Sequence, residues 1–209
     1  MFFFSKRKLD PIIRLKLKEK TEKSIPVIIL LKEPPSKRFK NSISKNTGKL
    51  KCEYKYMNAL SAQLTLEQVD RLSELPEVIS ISYDRKACIC MDKTIEDVGV
   101  NLGNPYGLTG RNINVAIIDT GVFPHADLIR PHRSILYFKD FIASCREPYD
   151  DNGHGTHISG IIAGSGSMSD GRFKGIAPDS KIIMLKAFNS VGEGAFSDIL
   201  SAIGWVIDN

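Results

Sequence analysis

The sequence predicts a parallel-sheet α/β domain preceded by a small α+β unit, and three observations carry that prediction. Two near-continuous apolar runs, residues 113–118 (INVAII) and 181–188 (KIIMLKAF), read as strands covered on both faces. Segments with helical spacing follow them, and strand–helix alternation is the pattern of a parallel sheet. Upstream, two alternating segments and a capped helix are crowded into residues 25–88, with a polar, glycine-punctuated stretch at 89–110 between the two parts.

In chain order, residues 1–24 form a basic arm whose Ile12, Ile13, Leu15 and Leu17 show no consistent helical face. Residues 24–31 (SIPVIILL) read as a buried strand, 32–48 as a loop or loop-and-helix stretch, and 49–56 as a second strand. Thr65-x-x-Gln68 is a capping box; Leu66, Val69, Leu72 and Leu75 give the helix it opens one apolar face. Pro76 stops that helix, and residues 78–83 (VISISY) alternate as a third strand. A unit of this size is marginal alone, because so small a core barely offsets chain entropy, so it is expected to lean on a partner. The domain at 111–209 continues from its first strand through a loop to a helix at 153–163 bearing Ile158, Ile161 and Ile162. After the 181–188 strand, Ser197 is expected to cap a last helix with Ile199, Ile203, Val206 and Ile207 on its core face. A further strand is expected next, so the sheet reads as unfinished at residue 209.

Composition narrows the function classes. Hydrophobic content of 42% and charged content of 25% suit a globular protein with a core. The net charge of +5 resides in residues 1–24, while 25–88 carry +4 and 89–209 carry −4. The folded part shows no basic patch, so nucleic acid is not an expected partner. No run approaches the roughly 20 apolar residues of a membrane span, and Lys and Arg interrupt any secretory apolar run at the start. The expected compartment is the cytoplasm, with Cys52, Cys88, Cys90 and Cys145 reduced; Cys88-x-Cys90 has the wrong spacing for a redox or zinc CxxC.

The chemistry-bearing residues lie at strand and helix ends. Asp119-Thr120-Gly121 sits at the carboxyl end of the first covered strand, where parallel sheets bind ligands. In Asp151-Asn152-Gly153-His154-Gly155-Thr156-His157, glycines flank His154 at the start of a helix and permit close backbone approach. A serine hydroxyl becomes a nucleophile when an imidazole takes its proton, and a carboxylate orients that imidazole. A strand-end Asp, a helix-start His and a later nucleophile follow the Asp…His…Ser order. Three rival readings use the same residues. Asp-Thr-Gly also marks aspartic proteases, which would require a homodimer here and leave HGTH unexplained. His154 and His157 with Asp119 or Asp151 could bind zinc, but lack a third ligand at the right spacing. The chain could also be a non-enzymatic binding or inhibitory module.

The stretches 118–128 (IDTGVFPHADL), 150–160 (DDNGHGTHISG) and 174–188 (KGIAPDSKIIMLKAF) resemble the subtilases over their N-terminal half, and the EPYDDNGHGTH context is similar to the AprX-like cytoplasmic branch. The resemblance implies a subtilisin-like catalytic domain at 111–209, preceded by an inhibitor-like prodomain at 25–88 and a linker and cleavage region at 89–110. It implies serine-type endopeptidase chemistry on polypeptides, with Asp119 and His154 as the triad aspartate and histidine and His157 as a structural histidine. The triad serine and the oxyanion asparagine lie beyond residue 209, so the chain alone is expected to be inactive. Asn152, Phe188, Gly192, Glu193, Gly194 and Phe196 are similar to substrate-binding positions, the glycine-rich segment as an edge that pairs with substrate backbone. The resemblance implies no required cofactor. Calcium is optional at Asp127, whose partner loop is replaced by a serine-rich 164–171 segment poor in charged oxygens. It also implies an intramolecular contact in which the prodomain, its charge opposite to that of the catalytic part, plugs the cleft.

Overall fold

The computed structural model describes residues 8–19, 22–44, 48–88 and 107–209. They divide into two units, the first ending at Arg85 and the second beginning at Lys86.

In the first unit, strands β1 (Ser24–Leu31), β2 (Lys49–Tyr54), β3 (Ala59–Thr65) and β4 (Val78–Tyr83) form one antiparallel sheet in the order β2-β3-β1-β4. Alternation in β1 buries Ile25, Val27, Ile29 and Leu31, which join Leu60, Leu64, Val69, Val78 and Ile81 in the core. Strand β3 went unread in the sequence although it occupies a central position. Its burial does not alternate, since Ala59, Leu60, Ser61 and Ala62 are all buried, and the buried Ser61 hydroxyl is satisfied by Tyr54 Oη at 2.8 Å. The capping box forms as expected: Thr65 Oγ1 accepts the Gln68 N–H, and Gln68 Oε1 accepts the Thr65 N–H.

The basic arm is another departure. Pro11–Glu19 is a helix, α1, opened by the Asp10 carboxylate accepting the Ile12 N–H at 2.7 Å. Ile13 and Leu9 are buried in the first unit's core, whereas Leu15 is exposed. The helix packs through Ile13 and the half-buried Leu17, one turn apart and in line with Leu9; three positions on so short a segment, with Leu15 exposed between them, are too few for periodicity to single out a face. Helix α2 (Lys37–Ser44), within the predicted loop-and-helix stretch, buries Phe39 and Ile43, and helix α3 (Leu66–Ser73) buries Val69 and Leu72.

The second unit opens with strand β5 (Lys86–Cys88). The predicted linker and cleavage region lies almost entirely outside the described residues. Strands β6 (Asn114–Asp119), β7 (Ile135–Asp140) and β8 (Lys181–Lys186) form a parallel sheet in the order β6-β8-β7. Strand β7 falls in the stretch read as loop; its apolar run, residues 135–138, is only four residues long, and at the edge of the sheet its Leu136 and Tyr137 are exposed. Ile117, Val122, Leu128, Ile135, Ile182 and Met184 form the core. Helix α4 (Ala126–Ile129) and helix α5 (His154–Ala163) follow β6 and precede β8 respectively.

The last helix, α6 (Phe196–Asp208), corrects the reading of its face and its cap. Its N-cap is Ala195, and Ser197 lies inside the helix and is buried. Ile203, Val206 and Ile207, expected in the core, are exposed, while Ala202 is buried and Trp205 stacks on Tyr137 with ring centroids 4.9 Å apart. An apolar helix offers more than one face to periodicity, and its neighbours decide which is packed.

Candidate active site

The three parallel strands end level with one another: Asp119 pairs with Lys186, and Lys186 with Asp140. Charged side chains are thereby gathered at the carboxyl edge of the sheet, where the strand backbone runs out and loops begin.

Asp119 is buried, and both of its oxygens face His154 Nδ1, at 2.8 and 2.9 Å. The aspartate also accepts the Thr120 N–H at 2.6 Å. With the carboxylate on Nδ1, that nitrogen is the proton-bearing one in the neutral ring, which leaves Nε2 as the basic nitrogen. Among the described residues no hydrogen bond is formed to Nε2.

Backbone geometry sets the approach. A Cβ on Gly155 would stand 2.1 Å from the Gly121 carbonyl oxygen and 3.2 Å from the Asp119 Cβ. The glycine after the histidine therefore lets the helix start press against the aspartate's turn. Thr120 Oγ1 closes the gap by accepting the Gly155 N–H at 2.9 Å.

Asp150 organises the loop that delivers His154. Its carboxylate accepts from Thr120 Oγ1, from Thr156 Oγ1 and N–H, and from the Asn152 and Gly153 amides. Burial alone would push this carboxyl up, but the Thr156, Gly153 and Thr120 donors outweigh it and hold it below the usual carboxylate value. Lys186, fully buried, donates to Thr120 O, to Phe188 O at 2.9 Å and to Asp151 Oδ1 at 2.7 Å, and lies over the Tyr149 ring. The Tyr149 hydroxyl donates to Asp140 at 2.9 Å; burial and that hydrogen bond push its pKa upward. Sequence reasoning missed Asp150 and Lys186 as site-building residues. Asp150 stands inside the 150–160 motif, but nothing local announces five donors converging on it; in the sequence Lys186 is simply one position of an apolar strand.

The remaining sequence-predicted positions lie along one further segment. Strand β9 (Glu193–Ala195) pairs antiparallel with β5: Cys88 opposite Glu193, Ala87 opposite Gly194, Lys86 opposite Ala195. Asn189 shapes the preceding turn, its Oδ1 accepting the Val191 and Glu193 amides. Gly192 turns at φ 76°, and Gly194 lies so close to Ala187 that a Cβ would meet its carbonyl oxygen at 2.2 Å. Phe188 is buried beside Gly194 and Phe196 is half exposed. Asn152 spans two segments, its Oδ1 accepting the His154 N–H at 3.1 Å and its Nδ2 donating to Ser190 O at 2.9 Å.

Two expectations meet a different arrangement. His157 is exposed, so it does not sit in the helix's packed face, and among the described residues no group of three or more His, Cys, Asp or Glu is placed to hold a metal. Asp127 does not fit calcium. Its Oδ1 receives the Met168 N–H at 2.8 Å and Ser165 Oγ at 3.5 Å, donors where a cation would need oxygen lone pairs, and the six to eight oxygens of a calcium shell are not assembled. Ser165 and Ser167 bond to each other at 2.7 Å at the far end of α5, about 15 Å of helix away from His154.

Residues 110–209 match the profile of the Subtilase family, and residues 12–87 match Peptidase inhibitor I9. Serine protease AprX of Bacillus subtilis (strain 168) is 36% identical over 163 residues, covering 77% of this chain and 36% of its own length. Subtilisin E of the same organism is 32% identical over 178 residues, covering 83% of this chain and 45% of its own. The chain thus spans less than half the length of these relatives. A crystal structure of the epidermin leader peptide processing serine protease EpiP from Staphylococcus aureus superposes with a TM-score of 0.62 at 20% identity, covering 87% of this chain and 47% of that one, a likeness of fold.

Proposed function

Because the chain belongs to the subtilase family, with an I9-type prodomain ahead of its subtilase part, we propose that it is the leading portion of a serine-type endopeptidase in which Asp119 and His154 are the triad carboxylate and general base. The observation that carries this is the two-oxygen approach of Asp119 to His154 Nδ1. In that arrangement the carboxylate fixes the tautomer and stabilises the imidazolium formed when Nε2 takes a serine proton. The freed alkoxide attacks the peptide carbonyl, and the imidazolium later returns the proton to the leaving amine. No described serine bonds to His154, so the reading requires a hydroxyl supplied from outside the described residues.

Peptide substrate lies, on this reading, as an extra strand along Glu193–Ala195, with Phe188 and Phe196 beside it. The chain's own Lys86–Cys88 occupies that edge, which supports a product-like, inhibitory tail. The same occupancy favours a second reading for the 209 residues by themselves: a catalytically inactive binding or inhibitory module.

The test uses a fluorogenic peptide assay and a serine-directed fluorophosphonate probe. They are applied to the 209-residue chain and to a form extended to the length of the relatives. Hydrolysis and labelling are expected in the extended form and absent from the shorter one, and His154→Ala removes both. Hydrolysis that survives His154→Ala would reject the assignment.

A further inference from the structure

The pairing of Lys86–Cys88 with Glu193–Ala195 also shows which side chains a strand on this edge presents to the protein. Successive side chains of a strand point to opposite faces, so Lys86 and Cys88 share a face with Glu193 and Ala195. Lys86 is the diagonal neighbour of Glu193, and its Nζ reaches Glu193 Oε2 at 2.6 Å. Both side chains are open to solvent, at 72% and 37% exposure, so the carboxylate is reachable by an incoming strand. The hydrogen bond to Glu193 and its charge hold the Lys86 ammonium above its ordinary pKa.

Glu193 holds its own turn through main-chain atoms only: its N–H donates to Asn189 Oδ1 at 3.0 Å and its carbonyl accepts the Asn189 N–H at 2.9 Å. The carboxylate is therefore not committed to folding the loop. The opposite face of the edge is walled by Ala187 main chain and Phe188, at 2.2 and 3.2 Å from a Cβ on Gly194. One face of a bound strand thus meets a wall, and the other meets a single anionic group in water.

We propose that Glu193 is a specificity-determining residue, selecting extended polypeptides with a lysine or arginine two residues ahead of the residue paired with Glu193. The selection rests on the reading of Glu193–Ala195 as the substrate edge, and Lys86 is its first, intramolecular occupant. An exposed ion pair is weak and screened by salt, so the preference is about fivefold at low ionic strength and fades at high.

The experiment has two arms on the full 209-residue chain. In the first, backbone hydrogen exchange reports how long Lys86–Cys88 stays paired. Lys86→Glu should exchange about fivefold faster at low salt. Adding Glu193→Lys to the same chain should restore protection. Exchange unchanged by Lys86→Glu, or a charge swap that restores nothing, overturns the proposal. In the second arm Ala87→Pro, which cannot continue a ladder, clears the edge. Fluorescein-labelled peptides DRKAS and DREAS then compete for it. The lysine peptide should bind more tightly, Glu193→Gln should equalise the two, and Glu193→Arg should reverse them. Equal binding by the Glu193 chain, or a preference that survives Glu193→Gln, overturns the specificity while leaving the edge reading intact. Failure of either peptide to bind a chain whose circular dichroism matches the parent overturns both.

Discussion

Asp119 and His154 are 35 residues apart in sequence and come together because four small features agree. A strand ends at the aspartate, a helix starts at the histidine, Gly155 permits contact, and Thr120 ties the two turns. Replacing Gly155 with Ala forces a methyl onto the Gly121 carbonyl, so it should destabilise the second unit by about 1–3 kcal/mol, read as a lowered thermal midpoint. In the extended enzyme His154→Ala should cost about 10⁴-fold or more in kcat with the fold retained, since the general base is lost, whereas His157→Ala, at an exposed position, should leave kcat near the parent value. Asp150 makes stability depend on pH. Its folded-state pKa is depressed, so the stabilisation is complete above the ordinary carboxylate value and is lost as pH falls through the folded one. Asp150→Asn should be less stable than the parent at neutral pH, and the difference should shrink on acidification, measured by denaturant melts across the acid range.

Among the elements, the helix Pro11–Glu19 and strand β3 carry the first unit beyond what local pattern indicates. Ile13 is wholly buried and Leu15 is half exposed, two residues apart on one short helix. Ile13→Ala should therefore destabilise the unit by about 2–5 kcal/mol, while Leu15→Ala should change it by under about 0.5 kcal/mol. Equal effects in urea titrations would return residues 1–24 to the status of an arm. Asn152 and Lys186 act between elements, joining the aspartate turn, the histidine loop and the segment that leads into the β9 edge.

At the scale of the whole molecule, two units with separate cores share one chain, and the segment following the first forms an edge strand of the second. Among the described residues no helix is long and apolar enough to cross a membrane. The 209-residue chain should not hydrolyse peptides above background, because a proton acceptor without its hydroxyl provides no covalent route. Ser165 and Ser167 bond to each other and to the Asp127 region, not to His154, so neither should react with a fluorophosphonate. Specific labelling of either serine, abolished by His154→Ala, would contradict the geometry.

Sequence alone determined what repeats locally or stands in an ordered motif. The apolar runs at 113–118 and 181–188, the Thr65–Gln68 capping box and the aspartate and histidine at element ends were legible because each is written within a few neighbouring residues. Tertiary structure decided everything that depends on a distant partner. Strand β3 is central because β1 and β2 lie on either side of it, and Ile203, Val206 and Ile207 are exposed because α6 packs through Ala202 and Trp205 instead. Lys186 is buried in a strand because Thr120, Phe188 and Asp151 supply all three of its acceptors, and Lys86 meets Glu193 across 107 residues. A hydrogen bond or an ion pair is made with whichever atoms the fold brings near. Periodicity shows which side chains share a face; only the assembled fold decides which face is packed and what stands opposite it.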